Sequence, residues 1–143
     1  MSYKLIKFDT ENAVGTITLN HPEKRNALSF AMLRELSSLV DDIRKMGDVS
    51  ALIIRGAGKV FCSGHDISEM LGRGMAEYRE VFDVCSGFMM KLQSLPQPVI
   101  AQVHGIATAA GCQLVAACDL AVAEEGTQFG TPGVRLGFFC STP

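Results

Sequence analysis

No block of like charge interrupts this chain. Its 13 Lys and Arg and 15 Asp and Glu are dispersed, for a formal net charge of −2. Nucleic acid and anionic membrane surfaces select clustered cations, so neither is an expected partner. The uncharged stretch from Pro96 to Cys118 is broken by two prolines, Gln97, Gln102, His104 and Gln113. It reads as strand plus helix, and no membrane span is expected. None of the five cysteines forms a Cys-x-x-Cys pair, and the three histidines lack metal-ligand spacing, so no metal is expected. Met-Ser-Tyr-Lys-Leu-Ile-Lys runs almost directly into the first strand, leaving no room for a secretion or transit segment. With an odd cysteine count, a reducing, cytoplasmic compartment is expected, or a mitochondrial one only if a transit peptide is missing from this chain. Nucleotide fingerprints are missing too. Gly56-Ala57-Gly58 has Phe61 where a third glycine belongs, and Gly58-Lys59 is followed by Val60 instead of Ser or Thr.

At 143 residues the chain makes one domain, residues 1–143, long enough to bury a core. Hydrophobic content of 48% and a mean hydropathy of +0.22 are high for a free-standing domain. Some apolar surface is expected to meet a partner or a further segment. Tyr3–Asp9 and Val14–Leu19 flank a hairpin signal at residues 10–13. Ser29 suits the N-cap of a helix over Phe30–Met46, in which Met32, Leu33, Leu36, Leu39, Val40 and Ile43 recur at helical spacing. A strand is expected over residues 51–55 and a short helical turn at Ile67–Leu71. A second amphipathic helix is expected over Ala76–Leu95, with Val81, Phe82, Cys85, Phe88, Met89 and Leu92 on one face and Pro96 as its stop. A strand at 98–103, a helix at 109–118, a strand at 119–123 and a possible strand at 127–130 complete an α/β pattern. Ser141-Thr142-Pro143 reads as the start of another helix.

Two turns carry the chemistry. Gly105-Ile106-Ala107-Thr108-Ala109-Ala110-Gly111-Cys112-Gln113 is a small-residue run between strand and helix, leaving the first helical N–H groups uncovered. A tightly packed helix start is the plain alternative. Ser63-Gly64-His65-Asp66-Ile67 again exposes backbone before a helical turn. Two N–H groups from two loops are what an oxyanion hole needs.

Phe61 to Met70 resembles the first signature of the crotonase (enoyl-CoA hydratase/isomerase) superfamily. Gly105 to Asp119 resembles the second signature, and Phe129 to Gly137 the third. His21-Pro22-Glu23-Lys24-Arg25-Asn26-Ala27-Leu28-Ser29 is similar to the loop that cradles coenzyme A. The resemblance implies a crotonase-like spiral of ββα turns (the ClpP/crotonase fold), here an N-terminal portion lacking the C-terminal helices. It further implies an acyl-CoA substrate, with coenzyme A part of that substrate and no cofactor bound permanently. A homotrimer or hexamer is implied for the full-length protein. By resemblance, the backbone N–H groups of His65 and Ala110 form the oxyanion hole. Coenzyme A would lie along Lys24, Arg25, Ala27 and Leu28 and along Ser63, Gly64, Asp66 and Ile67, with Lys24 or Arg25 near phosphate. Ser68 stands where many hydratases have a lysine.

Hydratases of this family carry a glutamate just after the Gly-Cys of the second motif and another after the Pro of the third. Here those positions are Gln113 and Gly133. Neither moves a proton at neutral pH, and loss of one such group typically costs about a hundred- to ten-thousand-fold in rate. Ordinary hydration is therefore expected to be weak. The alternative is a non-catalytic acyl-CoA-binding or regulatory protein. The His65 imidazole is expected to point elsewhere, with a role as base the other possibility. Asp66 reads as a helix cap, Asp119 as structural, Glu124-Glu125 as a solvated turn, His104 as a packed strand end and His21 as solvated. Cys140, Ser141 and Thr142 either bind water near the reacting carbons or cap the next helix.

Overall fold

The structure, a computed structural model, describes Tyr3 to Gly137. Strands β1 (Ile6–Glu11) and β2 (Val14–Leu19) pair antiparallel, Ile6 opposite Leu19 and Glu11 opposite Val14. The connecting pair Asn12-Ala13 has φ of 50° and 63°. Positive φ at both centres is what a two-residue hairpin turn requires, so the loop is shorter than the four residues expected. Strands β3 (Ala51–Gly56), β4 (Val99–Val103) and β6 (Leu120–Ala123) then join in parallel, in the order β1-β2-β3-β4-β6. A second, two-stranded parallel sheet pairs β5 (Ile106–Thr108) with β7 (Gln128–Gly130). Sequence patterning read residues 105–108 only as a turn. β5 is too short and too rich in small residues to show a strand period.

Helix α1 spans Phe30–Ile43, its N-cap Ser29 accepting from the Met32 amide at 3.2 Å. Its six apolar positions at helical spacing are all buried. Helix α2 spans Met75–Gln93, starting one residue earlier and ending two earlier than expected. Gly74 is its N-cap residue, and its amide donates to Glu77 Oε2 at 2.6 Å. Helix α3 is Ala110–Ala116, shorter than the expected 109–118. Phe61, Phe88, Leu52, Ile54 and the apolar faces of α1 and α2 form one core.

The chain repeats one turn. A strand of the large sheet leads to a segment in the second layer and then to a helix: β2, Leu28 and α1; β3, residues 62–65 and α2; β4, β5 and α3. The second layer is stitched by parallel bridges Leu28–His65 and Cys62–Ala107 and by β5–β7. This is the ββα spiral, with helix starts lined up beside the second layer. On the far edge β6 stays open, with Leu120 61% and Val122 64% exposed. Among the described residues no helix is long and apolar enough to cross a membrane.

Candidate functional site

Asn26 organises the first loop. It is fully buried, at φ 52° beside Arg25 at φ 53°. Asparagine is among the few residues that tolerate this left-handed region. Its Nδ2 donates to the carbonyls of Ala57 (2.8 Å), Val60 (3.0 Å) and Phe61 (3.2 Å), and its Oδ1 accepts from the His21 amide at 2.9 Å. The loop is thereby clamped to the segment leading into the first motif. The Ser63 amide donates to Arg25 O (3.1 Å), Leu28 N to Gly64 O (2.7 Å) and Asp66 N to Leu28 O (3.4 Å). Sequence reasoning passed over Asn26. The available signal was a lone asparagine inside a charged turn followed by buried Ala27 and Leu28.

The two motif loops meet at Gly64, which sits at φ 94°. A Cβ placed there would lie 2.8 Å from the Ala109 methyl, 3.0 Å from Thr108 O and 3.2 Å from the Ala110 nitrogen. Only glycine lets the backbones approach this closely. Gly111 abuts the Cys62 backbone in the same way. Neighbouring amides are engaged: Thr108 N donates to Cys62 O (3.0 Å) and Ala109 N to Gly130 O (2.8 Å). Among the described residues the amides of His65 and Ala110 have no acceptor.

Ala110 is helical and not at positive φ, so alanine fits there. The strain sits one residue earlier. Ala109 adopts φ 51°, ψ −127°, a region that favours glycine. Its carbonyl accepts the first bond of α3, from Gln113 N at 3.1 Å. Strain of this kind costs roughly 1–3 kcal/mol, while glycine loosens the unfolded chain by about 0.4–1 kcal/mol. Ala109→Gly should therefore stabilise by about 1 kcal/mol, raising Tm by roughly 3–5 °C in calorimetry. A lower Tm would contradict the strain.

Asp66 caps the 3-10 turn Ile67–Glu69 as expected, accepting from Ser68 N at 3.0 Å. Hydrogen bonds from Ser68, and more weakly the Lys24 ammonium 3.4 Å away, hold its carboxyl below the ordinary range. Lys24 is thus tied back to the first motif, and Arg25 is exposed beside it. Burial pushes the Cys62 thiol up to about 12, and Cys62 Sγ donates to Asn26 O at 3.1 Å. Burial likewise lowers the pKa of His65, offset in part by a hydrogen bond with the Leu28 backbone.

The structure thus gathers Lys24, Arg25, Leu28, Ser63, Gly64, His65, Asp66 and Ala110, with Ala27 buried behind and Ile67 exposed at the rim. Gln113 lies on α3 one turn beyond Ala109, and Gly133 in the 3-10 turn Pro132–Leu136 after β7. His21 is not solvated as expected. Its side chain is 22% exposed, with Nε2 3.3 Å from Glu23 Oε1 and Nδ1 buried without a partner among the described residues. His104 packs as expected, Nε2 lying 2.9 Å from Gly58 O. Asp119 is structural, accepting from Val99 N at 2.7 Å, and Glu124-Glu125 is an exposed turn. Among the described residues no cluster of three His, Cys, Asp or Glu is placed to hold a metal. Cys140, Ser141 and Thr142 lie outside the described residues.

Two sheet layers with loops meeting at a glycine, read against known proteins, define a crotonase-type fold. The chain belongs to the enoyl-CoA hydratase/isomerase family, whose model matches residues 9–142. It is 48% identical over 134 residues to the mitochondrial enoyl-CoA hydratase domain-containing protein 3 of Rattus norvegicus, covering 93% of this chain and 45% of that protein. The protein of the same name from Danio rerio is 48% identical, covering 99% and 50%. The crystal structure of human enoyl-CoA hydratase domain-containing protein 3 superposes with a TM-score of 0.93 at 46% identity, over 98% of this chain and 56% of that one. An enoyl-CoA hydratase structure from Mycobacterium smegmatis gives 0.93 at 46% identity, over 96% and 55%. The chain spans about half the length of the curated relatives it matches.

Proposed function

We propose that this chain binds an acyl-CoA thioester and holds its carbonyl oxygen between the backbone N–H groups of His65 and Ala110. The carrying observation is that these two amides, from separate loops packed across Gly64, have no acceptor among the described residues. Donors fixed by the fold stabilise negative charge on a thioester oxygen without reorganising. The coenzyme A part would follow the cradle of residues 24–28 and 63–67, held chiefly by backbone, with Arg25 nearer to phosphate than the engaged Lys24. Coenzyme A enters as substrate, and no resident cofactor is required.

With Gln113 and Gly133 in the two glutamate positions, the activity proposed is polarisation of the thioester with little ordinary hydration. The second reading is an acyl-CoA-binding regulatory protein, favoured by the same two residues. Exposed Leu120, Val122 and Phe129 offer apolar surface to further chain or to other copies, which supports a homotrimer or hexamer for the whole protein. The Rattus norvegicus and Danio rerio relatives are named as mitochondrial. A compartment that holds acyl-CoA and keeps thiols reduced, matrix or cytoplasm, accords with the free cysteines 62, 85, 112 and 118.

Calorimetry on the intact protein tests this reading. Butyryl-CoA should bind, and Ala110→Pro should weaken it about tenfold by deleting one donor at a first helical position that tolerates proline. Unchanged affinity in a folded Ala110→Pro protein would count against the amide pair, as would no binding at all.

A further inference from the structure

The large sheet has two edges, β6 on one side and β1 on the other. Among the described residues β2 is the only strand beside β1. The register sets which backbone groups of β1 face outward. Glu11 and Val14 flank the two-residue turn as a hydrogen-bonded pair, so the odd-numbered residues of β1 bond to β2. Leu5 keeps the same parity, its carbonyl accepting from Asn20 N at 2.8 Å. Ile6, Phe8 and Thr10 therefore turn their N–H and C=O groups away from the sheet. Such an edge pairs with another strand unless something blocks it. β1 holds no proline and, matched one to one with β2 over six residues, no bulge.

What β1 does hold is charge of alternating sign around one aromatic ring. Lys7 and Asp9 are exposed on one face, and neither has an ion-pair partner among the described residues. Phe8 lies on the other face over Gly15, half-buried beside a groove of about 470 Å³ that Tyr3, Leu39 and Met46 also line. An antiparallel strand with the sequence of β1 itself answers each of these features. With Phe8 opposite Phe8, Lys7 stands opposite Asp9, Asp9 opposite Lys7, and Ile6 opposite Thr10. The Phe8 pair and the two Ile6–Thr10 pairs then exchange backbone hydrogen bonds through their outward groups. Lys7 and Asp9 fall at the non-hydrogen-bonded positions, where cross-strand side chains come closest. Centring the pairing on Lys7 or on Asp9 instead sets like charges opposite each other. The Phe8 axis gives two opposite-charge pairs and no like-charge pair.

We propose that β1 is a two-fold docking edge whose partner is a second copy of this chain, the two five-stranded sheets joining edge to edge into one. The contact is independent of the thioester reading and lies at the opposite edge from β6. Sedimentation equilibrium on the intact protein, over a range of concentrations, tests it. The native protein should double its mass as concentration rises. Lys7→Asp and Asp9→Lys each set like charges opposite across the axis, and each should raise the dissociation constant at least about tenfold. The double variant Lys7→Asp with Asp9→Lys exchanges the two charges and should return the constant close to its native value. An equimolar mixture of the two single variants should also associate as the native protein does, because every charge pair between unlike chains is then opposite in sign. A native protein that does not double its mass would overturn the proposal and leave β1 as an edge blunted by its charges. Doubling that both single variants retain would place the contact elsewhere. Exchanged and mixed variants that both stay apart would overturn the antiparallel pairing about Phe8.

Discussion

Crotonyl-CoA given to the purified protein should be hydrated at least about a hundredfold more slowly than by family members with both glutamates. Water addition needs a group that takes a proton from water and one that returns a proton to carbon. Gln113 holds its amide protons at any physiological pH, and Gly133 has no side chain. Nearby carboxylates are otherwise occupied: Asp66 caps a turn and pairs with Lys24, and Glu69 accepts from the Phe30 amide at 2.8 Å. The Cys62 thiol is pushed up to about 12 and is no base at neutral pH. The double variant Gln113→Glu with Gly133→Glu restores both carboxylates and should raise hydration by at least tenfold if the two loops are otherwise competent. Spectrophotometric loss of the enoyl thioester band reports both rates. Native turnover equal to that of ordinary hydratases would show that another group carries the proton.

Asn26→Ala should destabilise the protein by about 3 kcal/mol or more. The substitution strips partners from the carbonyls of Ala57, Val60 and Phe61 and from the His21 amide, all met now by one side chain. Each buried group left unpaired costs roughly 1–3 kcal/mol, partly recovered where water enters. Alanine must also adopt φ 52°, which asparagine tolerates better. Asn26→Asp keeps the shape but turns an acceptor toward three carbonyls, so it should be at least as damaging. Urea unfolding measures both. A loss below about 1 kcal/mol for Asn26→Ala would mean that the clamp is not what holds the cradle loop to the first motif.

The large sheet and the first two helices were legible because their cores repeat. Apolar residues at helical spacing in α1 and α2 and the apolar run of β3 identify buried faces before any tertiary contact is known. Gly64 and the Ala107–Gly111 run were legible as places where backbone comes close to something. What they approach was not, since the contact between Gly64 and Ala110 joins residues 46 positions apart. Asn26 stayed hidden for the same reason: the carbonyls it donates to begin 31 residues away, and in sequence it is one polar residue in a polar turn. The strain at Ala109 was not anticipated from sequence. Sequence marks where a glycine is missing, but only the φ and ψ of the folded loop reveal which alanine carries the cost. His21 was misread because a histidine before proline looks solvated until the Asn26 clamp folds the loop over it.

Isotope-edited infrared spectroscopy of bound butyryl-CoA, labelled at the thioester carbonyl carbon, tests the central claim most directly. On the proposed reading, two hydrogen bonds from His65 and Ala110 would polarise the carbonyl and weaken its double bond. The labelled carbonyl stretch should move to lower wavenumber on binding than in water, and should move part of the way back in Ala110→Pro. A bound ligand whose carbonyl stretch stays at or above its value in water would contradict the account.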